Sequence, residues 1–272
     1  SFVSAGQTCN PISRSHFVLE LPADSGKLGN HPLSFKSHIR HQYSRGASPN
    51  MNRTDFSIAR SQEAALSTNK VIKNTYMLLS ATLLFSAVTA AISVFLAMPS
   101  WVYLVSVIGS MLLGMFVLPR AANSSSGVGI IFAITGLLGF GLGAILTLYL
   151  SLPKGPEIVG TALGGTGVIF LGLSGYALTT RKDFSFMGGF LFAGMLVVVI
   201  AMLANIFLEM PALSLAISGA IILLMSGLIL FQTGQIVNGG ETNYIMATYS
   251  LYLSIFNIFI SLLQILGFMG DE

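Results

Sequence analysis

The chain has 272 residues, of which 53% are hydrophobic and 8% charged, with a mean hydropathy of +0.79 and a formal net charge of +3. So few charges cannot cover a soluble globule of this size, and the composition specifies a polytopic membrane protein. The single cysteine, Cys9, excludes an internal disulfide framework. His16, His31, His38 and His41 all precede the first apolar run, which excludes an intramembrane histidine metal site.

Residues 1–50 show no apolar signal-peptide core, no small-residue cleavage site and no helical or strand period. They read as a disordered extension, a leader foreign to the native protein. Met51 opens MNRTDFSIARSQ, which has the look of an ordinary start. Residues 51–75 read as a cytoplasmic N-terminal tail and the start of the first helix, with Ser67 and Thr68 as its caps. Residues 1–75 hold nine Lys/Arg against four Asp/Glu, and the remainder holds four against six. Basic charge beside a membrane points to anionic lipid headgroups; without interleaved aromatics it does not point to nucleic acid.

Seven apolar runs follow, at 76–98, 101–118, 128–150, 158–178, 186–208, 212–231 and 244–268. Each approaches the ~20 helical residues that cross a hydrocarbon core. The breaks are Pro99, the segment 119–127, Pro153 to Pro156, the segment 179–185, Pro211 and the Gly239-Gly240 turn. The predicted fold is an all-α membrane bundle of seven spans over residues 76–268. With a cytoplasmic N-terminus, that side receives Arg53, Arg60, Lys70, Lys73, Arg120, Arg181 and Lys182, and the other side only Lys154. The positive-inside rule then fixes the orientation and puts the C-terminus outside.

Glycines in the third span (Gly136, Gly139, Gly141, Gly143) and the fourth (Gly160, Gly164, Gly167, Gly172, Gly175) form small-xxx-small pairs, and both sets read as close helix-packing surfaces. Gly172-Leu173-Ser174-Gly175 has the GxSG spacing of intramembrane serine proteases, but no span supplies a histidine base. The stretch GTALGGTG lacks a following P-loop lysine. Glu157, Asp183, Glu209 and Glu241 fall at span ends or in loops, so no paired carboxylates exist for acid–base or metal chemistry. The expectation is a protein that is not an enzyme and carries no cofactor.

The seventh run holds a polar seam. Ser250, Ser254, Asn257, Ser261 and Gln264 recur at helical spacing, beside a second stripe of Tyr249, Tyr252, Phe256 and Phe259. Two readings stand: hydrogen-bonding glue between helices, or a hydrated cavity lined by Ser254, Asn257 and Gln232.

Three motifs resemble the Bax inhibitor-1 family, most closely its YccA-type bacterial branch: TTRKDFSFMGG at 179–189, ANIFLEMPALSLAIS at 204–218 and GGETNYIMATYSLYLSIFNIFISLLQILG at 239–267. The resemblance covers about 51–268. It implies a bundle with a central seventh helix, in a bacterial inner membrane, with the N-terminus cytoplasmic and the C-terminus periplasmic. The motifs also single out Arg181, Lys182, Asp183, Asn205, Glu209 and Glu241 as candidate loop or interface positions.

Two activities follow from the resemblance. One is interaction with the membrane-anchored AAA protease FtsH, as a slowly degraded substrate that modulates its action on other membrane proteins. The polar residues 51–66 would serve as the protease's handle. The other is a pH-gated calcium leak, for which the family uses one aspartate at the end of the sixth helix and another in the middle of the seventh. Here those positions read Phe231-Gln232-Thr233-Gly234 and Leu251-Tyr252-Leu253-Ser254, so both carboxylates are replaced. Neither Gln232 nor Ser254 titrates between pH 5 and 8.

Overall fold

The computed structural model describes residues 53–270. The readings made for residues 1–50 and for the Asp271-Glu272 terminus lie outside the described residues. Seven helices follow one another: α1 Arg53–Phe95, α2 Trp101–Ala121, α3 Ser126–Leu150, α4 Gly155–Thr180, α5 Met187–Leu208, α6 Pro211–Val237 and α7 Tyr244–Gly270. All seven contain a stretch long and apolar enough to span a membrane. The protein is an all-α, multi-pass membrane bundle.

The helix boundaries depart from the expected ones where local chemistry is permissive. α1 does not begin at Ser67 but runs unbroken from Arg53. The intervening residues include no glycine or proline and hold helix-favouring Ala, Arg, Gln and Glu, so Ser67 and Thr68 sit inside the helix instead of capping it. The second span continues past the expected stop at Pro119. Proline has no N–H to give, and its ring crowds the carbonyl four residues back. The chain adapts with a π turn at Leu113–Val117, in which Leu118 N–H bonds to Leu113 O, and Arg120 Nη1 donates to the Phe116 carbonyl at 2.7 Å. α6 also outruns its expected end at residue 231. Its polar residues Gln232, Thr233 and Gln235 are helix-compatible, and the stop comes at Asn238 and Gly239, where φ reaches +76°.

One end of the bundle gathers the start of the α1 span with the α2–α3, α4–α5 and α6–α7 connections. Arg120, Arg181 and Lys182 lie there, and it is called the basic end below. At the opposite end the close of α7 meets the α3–α4 turn, with Gly267 against Tyr149 and Gly270 against Ile158.

α7 is the central helix. It packs on α6, α4 and α3, and it reaches α1 through Ser86 and Tyr252 and α2 through Tyr249, which lies over Gly114 of the π turn. Leu251, Tyr252, Ser254, Ile258 and Leu263 are all buried on it. α5 joins the bundle through α6, with Gly194 against Leu224 and Gly227 against Leu191.

The glycines of α3 behave as expected. A Cβ on Gly139 would lie 2.3 Å from the Ser86 carbonyl, and one on Gly143 would lie 2.3 Å from the Ala90 carbonyl, so α1 and α3 meet backbone to backbone. In a bilayer this close approach supplies dispersion contacts that lipid cannot replace. The α4 glycines do not behave as expected. A Cβ on Gly160, Gly164, Gly167, Gly172 or Gly175 would meet nothing within 4 Å, so these residues form no packing surface among the described residues. Nothing in the sequence separates the two sets, because the deciding factor is which helix lies opposite.

Candidate functional site

The polar seam of α7 is not one continuous line. It is divided among neighbouring helices into clusters at different depths. Nearest the basic end, Thr248 Oγ1 donates to the Tyr244 carbonyl at 2.7 Å and lies 3.2 Å from the Thr75 carbonyl of α1. Thr75 is fully buried and its own hydroxyl has no partner.

Nearly two turns further, Ser254 Oγ lies 3.1 Å from the Ser250 carbonyl and 3.4 Å from the Gln232 side-chain oxygen of α6. A hydroxyl has one proton to give. With that proton on Ser250 O, the pair is best satisfied by turning the Gln232 amide so that Nε2 donates to Ser254 Oγ, since amide orientation is set by its bonding network. The two positions where the family resemblance places aspartates are therefore neighbours, as a helix–helix contact without charge. Thr233, next on α6, is fully buried with an unpartnered hydroxyl.

The third cluster is toward the opposite end. Gln264 Oε1 accepts from Ser218 Oγ at 2.7 Å, and its Nε2 donates to Ser214 Oγ at 2.9 Å, tying α7 to α6 a second time. Ten residues at 1.5 Å of rise put this cluster ~15 Å from Ser254. Ser250 and Asn257 turn back on their own helix, bonding Met246 O at 3.0 Å and Leu253 O at 2.8 Å. Ser261 is buried.

Tyr252 holds a separate bridge. Its hydroxyl donates to the Thr135 carbonyl of α3 at 3.3 Å and pairs with Ser86 Oγ of α1 at 2.7 Å, while its ring stacks on Phe256 at 6.1 Å. Three helices are thus tied at one buried oxygen.

The loop candidates fall into two groups. At the basic end, Arg181 closes α4 in a left-handed conformation (φ 50°), and the Lys182 carbonyl accepts from Asn238 Nδ2 of α6 at 3.2 Å. Asp183 accepts from the Ser185 hydroxyl and N–H, and Ser185 Oγ accepts from Gln235 Nε2 at 3.1 Å. The Ser185 hydroxyl, followed by its N–H, holds the exposed Asp183 carboxyl below the usual carboxylate range. Whatever this turn contributes is therefore retained through neutral pH and lost only as the pH falls through that lowered value. Glu241 Oε1 accepts from Asn243 N–H at 2.7 Å. Asn205 and Glu209 lie at the other end of the 22-residue α5, ~33 Å away by helical rise. There Glu209 closes the helix at φ 49° by donating its N–H to the Asn205 carbonyl, and Asn205 Oδ1 is buried without a partner.

The sequence reading passed over Asn243. Its Oδ1 accepts from the N–H groups of Ile245 and Met246, which caps α7, while its Nδ2 donates to the Ala122 carbonyl and to Asn123 Oδ1 of the α2–α3 turn. An asparagine just ahead of a long apolar run was the available signal. Ser86, Ser214 and Ser218 had none, because a lone serine in a span does not say which helix it faces.

These side chains can hydrogen-bond, orient helices and line a polar interior. Among the described residues no group of three or more His, Cys, Asp or Glu side chains comes together to hold a metal ion.

The family profile described as "Inhibitor of apoptosis-promoting Bax1" matches residues 68–271. The chain belongs to the Bax inhibitor-1 family. Among curated relatives in that family, it is 54% identical over 207 residues to "Modulator of FtsH protease YccA" of Escherichia coli, a match covering 76% of this chain and 94% of that protein. An "Inner membrane protein YccA" from a second Escherichia coli strain matches to the same extent. An "Uncharacterized membrane protein" of Vibrio cholerae is 49% identical over 222 residues, covering 82% of this chain and all of that protein. The Bax inhibitor-1 match ends where the spans end, and the α7 seam lies wholly within it.

Proposed function

We infer that this protein is a non-enzymatic inner-membrane modulator, and slow substrate, of an FtsH-type membrane AAA protease. The observation that carries the reading is the 54% identity, over 94% of its length, to a relative named as a modulator of that protease. The geometry is compatible with it. The bundle is held by neutral hydrogen bonds between α6 and α7 at two depths and by the α1–α3 glycine contact, a construction that resists extraction from the membrane. Resistance to pulling would make a substrate slow and leave the protease occupied.

The first test is orientation. A reporter fused after Glu272 is expected to behave as periplasmic, and one placed in the α4–α5 turn at Asp183 as cytoplasmic, because the basic end carries the cations. A cytoplasmic reading at Glu272 would overturn the assignment. The second test is degradation. Deleting residues 51–62 removes most of the α1 extension that precedes the span at Leu66 but leaves every cluster from Thr75 onward in place. The bundle should fold normally, and its half-life with a purified FtsH-type protease should lengthen about tenfold if each engagement loses ~1.4 kcal/mol of grip. An unchanged half-life sinks the handle reading.

The second functional reading is a calcium or cation leak of the Bax inhibitor-1 type, favoured by the adjacency of Gln232 and Ser254. In this chain it would operate without a carboxylate pair.

A further inference from the structure

α1 and α4 are joined near the basic end and part beyond that junction. At the junction the Tyr76 hydroxyl bonds Ser174 Oγ, and the Tyr76 ring lies 6.2 Å from that of Phe170. Beyond it an apolar crevice of 580 Å³ opens between the two helices. Its walls run from Leu83 to Phe95 on α1 and from Val159 to Phe170 on α4, and Phe256 and Phe259 of α7 form its floor. The volume lies within the ~300–1,000 Å³ typical of small-molecule sites.

Three features decide what fits. The helical rise from Leu83 to Phe95 is ~18 Å, close to the ~15 Å of half a hydrocarbon core, so the crevice has the depth of one leaflet. The lining hydroxyls are already committed, Ser86 and Tyr252 to each other and Thr166 to the Ala162 carbonyl, which leaves no polar group for a water-soluble ligand. At the mouth furthest from the basic end, the lining residues Leu150 and Val159 flank the α3–α4 turn, which carries the exposed cation Lys154.

We propose that this crevice binds one acyl chain of a phospholipid, with the phosphate at the α3–α4 turn against Lys154. A transmembrane helix of a partner is the poorer fit. Such a helix is ~10 Å wide and crosses both leaflets, whereas the crevice lining ends at Leu83 and Phe170, and the Tyr76–Ser174 bond closes α1 onto α4 beyond it. Gly167 adds to the room of the site: it lines the crevice, and a Cβ there would meet nothing within 4 Å among the described residues. A bound lipid chain would supply the contacts that α1 and α4 do not make to each other, and would set their separation.

The test uses the full chain in vesicles of phosphatidylethanolamine and phosphatidylglycerol, doped with a phosphatidylglycerol carrying a mid-chain diazirine. Bulk lipid is stripped with detergent before irradiation, and adducts are mapped by mass spectrometry. Adducts at 83–95 and 159–170 should survive stripping about tenfold better than those on the lipid-facing surface of α5. Ala91→Trp, which narrows the crevice from the α1 wall, should remove the retained adducts while leaving α5 labelling before stripping unchanged. Leu163→Trp makes the same test from the α4 wall if Ala91→Trp fails to fold. Lys154→Gln should lower retention of phosphatidylglycerol about fivefold, with rescue by Lys154→Arg, as expected for one exposed ion pair. Crevice adducts that wash out as fast as those on α5 would mean annular lipid only and overturn the proposal. Cross-links between α4 helices of two copies, with lipid excluded, would assign the crevice to a second chain and also overturn it.

Discussion

Replacing Gln232 and Ser254 together by aspartate is expected to turn a pH-indifferent protein into a pH-responsive one. In the native chain these side chains meet at 3.4 Å, and neither changes charge between pH 5 and 8. Calcium flux in proteoliposomes should therefore be low and flat across that range. Two carboxylates placed at the same positions cannot both ionise freely at such a separation, so they share a proton and the charge of the pair follows the pH. Flux in the double variant should vary about tenfold across pH 5–8, and either single variant should vary much less, because the shared proton needs both partners. Stability provides an independent readout with a definite sign. A protonated pair tolerates the interior and an ionised pair repels, so the double variant should lose stability as the pH rises, opposite to ordinary acid denaturation. Ser254→Ala should cost only ~0.6–2 kcal/mol by loss of one interhelical bond. Strong flux through the unmodified protein with a midpoint between pH 6 and 8 would show that another group gates it, and would place the leak reading ahead of protease modulation.

The largest loss of stability is expected from the α1–α3 contact. Gly139→Ala would put its methyl group 2.3 Å from the Ser86 carbonyl and 2.4 Å from Thr89 Oγ1. The nearest obstructing atom is backbone, so a helix has to move, at a cost of roughly 1–3 kcal/mol or more. Displacing Ser86 also breaks its bond to Tyr252, so the loss should spread to α7. Gly143→Val, facing the Ala90 carbonyl at 2.3 Å, should give no folded protein in mild detergent. Gly160→Ala and Gly164→Ala should instead be neutral or stabilising by up to ~1 kcal/mol, because alanine favours the helix and nothing stands in its way. Thermal unfolding of the four variants in one detergent checks the contrast. If Gly160→Ala or Gly164→Ala proved as damaging as Gly139→Ala, α4 would have to be packed against something outside this chain.

The Gly139 and Gly160 comparison also marks the limit of what could be read without coordinates. Both residues sit in small-xxx-small pairs inside apolar runs, and the sequence treats them alike. The seven spans were legible because bilayer thickness imposes a run of ~20 apolar residues on each helix, a constraint local to the segment. The crowding of Lys and Arg at one end was legible for the same reason, since each charge belongs to its own loop. The α7 seam was legible as a period, and the family's motifs singled out Gln232 and Ser254 as the positions that replace its aspartates.

The partners of most polar groups were not legible. Gln264 bonds Ser214 and Ser218, Tyr252 bonds Ser86 and Thr135, and Asn243 bonds the α2–α3 turn, each across 46 or more residues of sequence. In water an amphipathic helix announces its buried face because the other face must be polar. In a bilayer the outward face is as apolar as the inward one, so the helix circumference is nearly uniform and carries no such record. The sequence by itself therefore determined how many spans there are and which end is basic. The tertiary structure alone decided that α3 and not α4 uses its glycines, that the polar seam is divided among clusters at different depths, and that α1 and α4 part to leave an apolar crevice one leaflet deep.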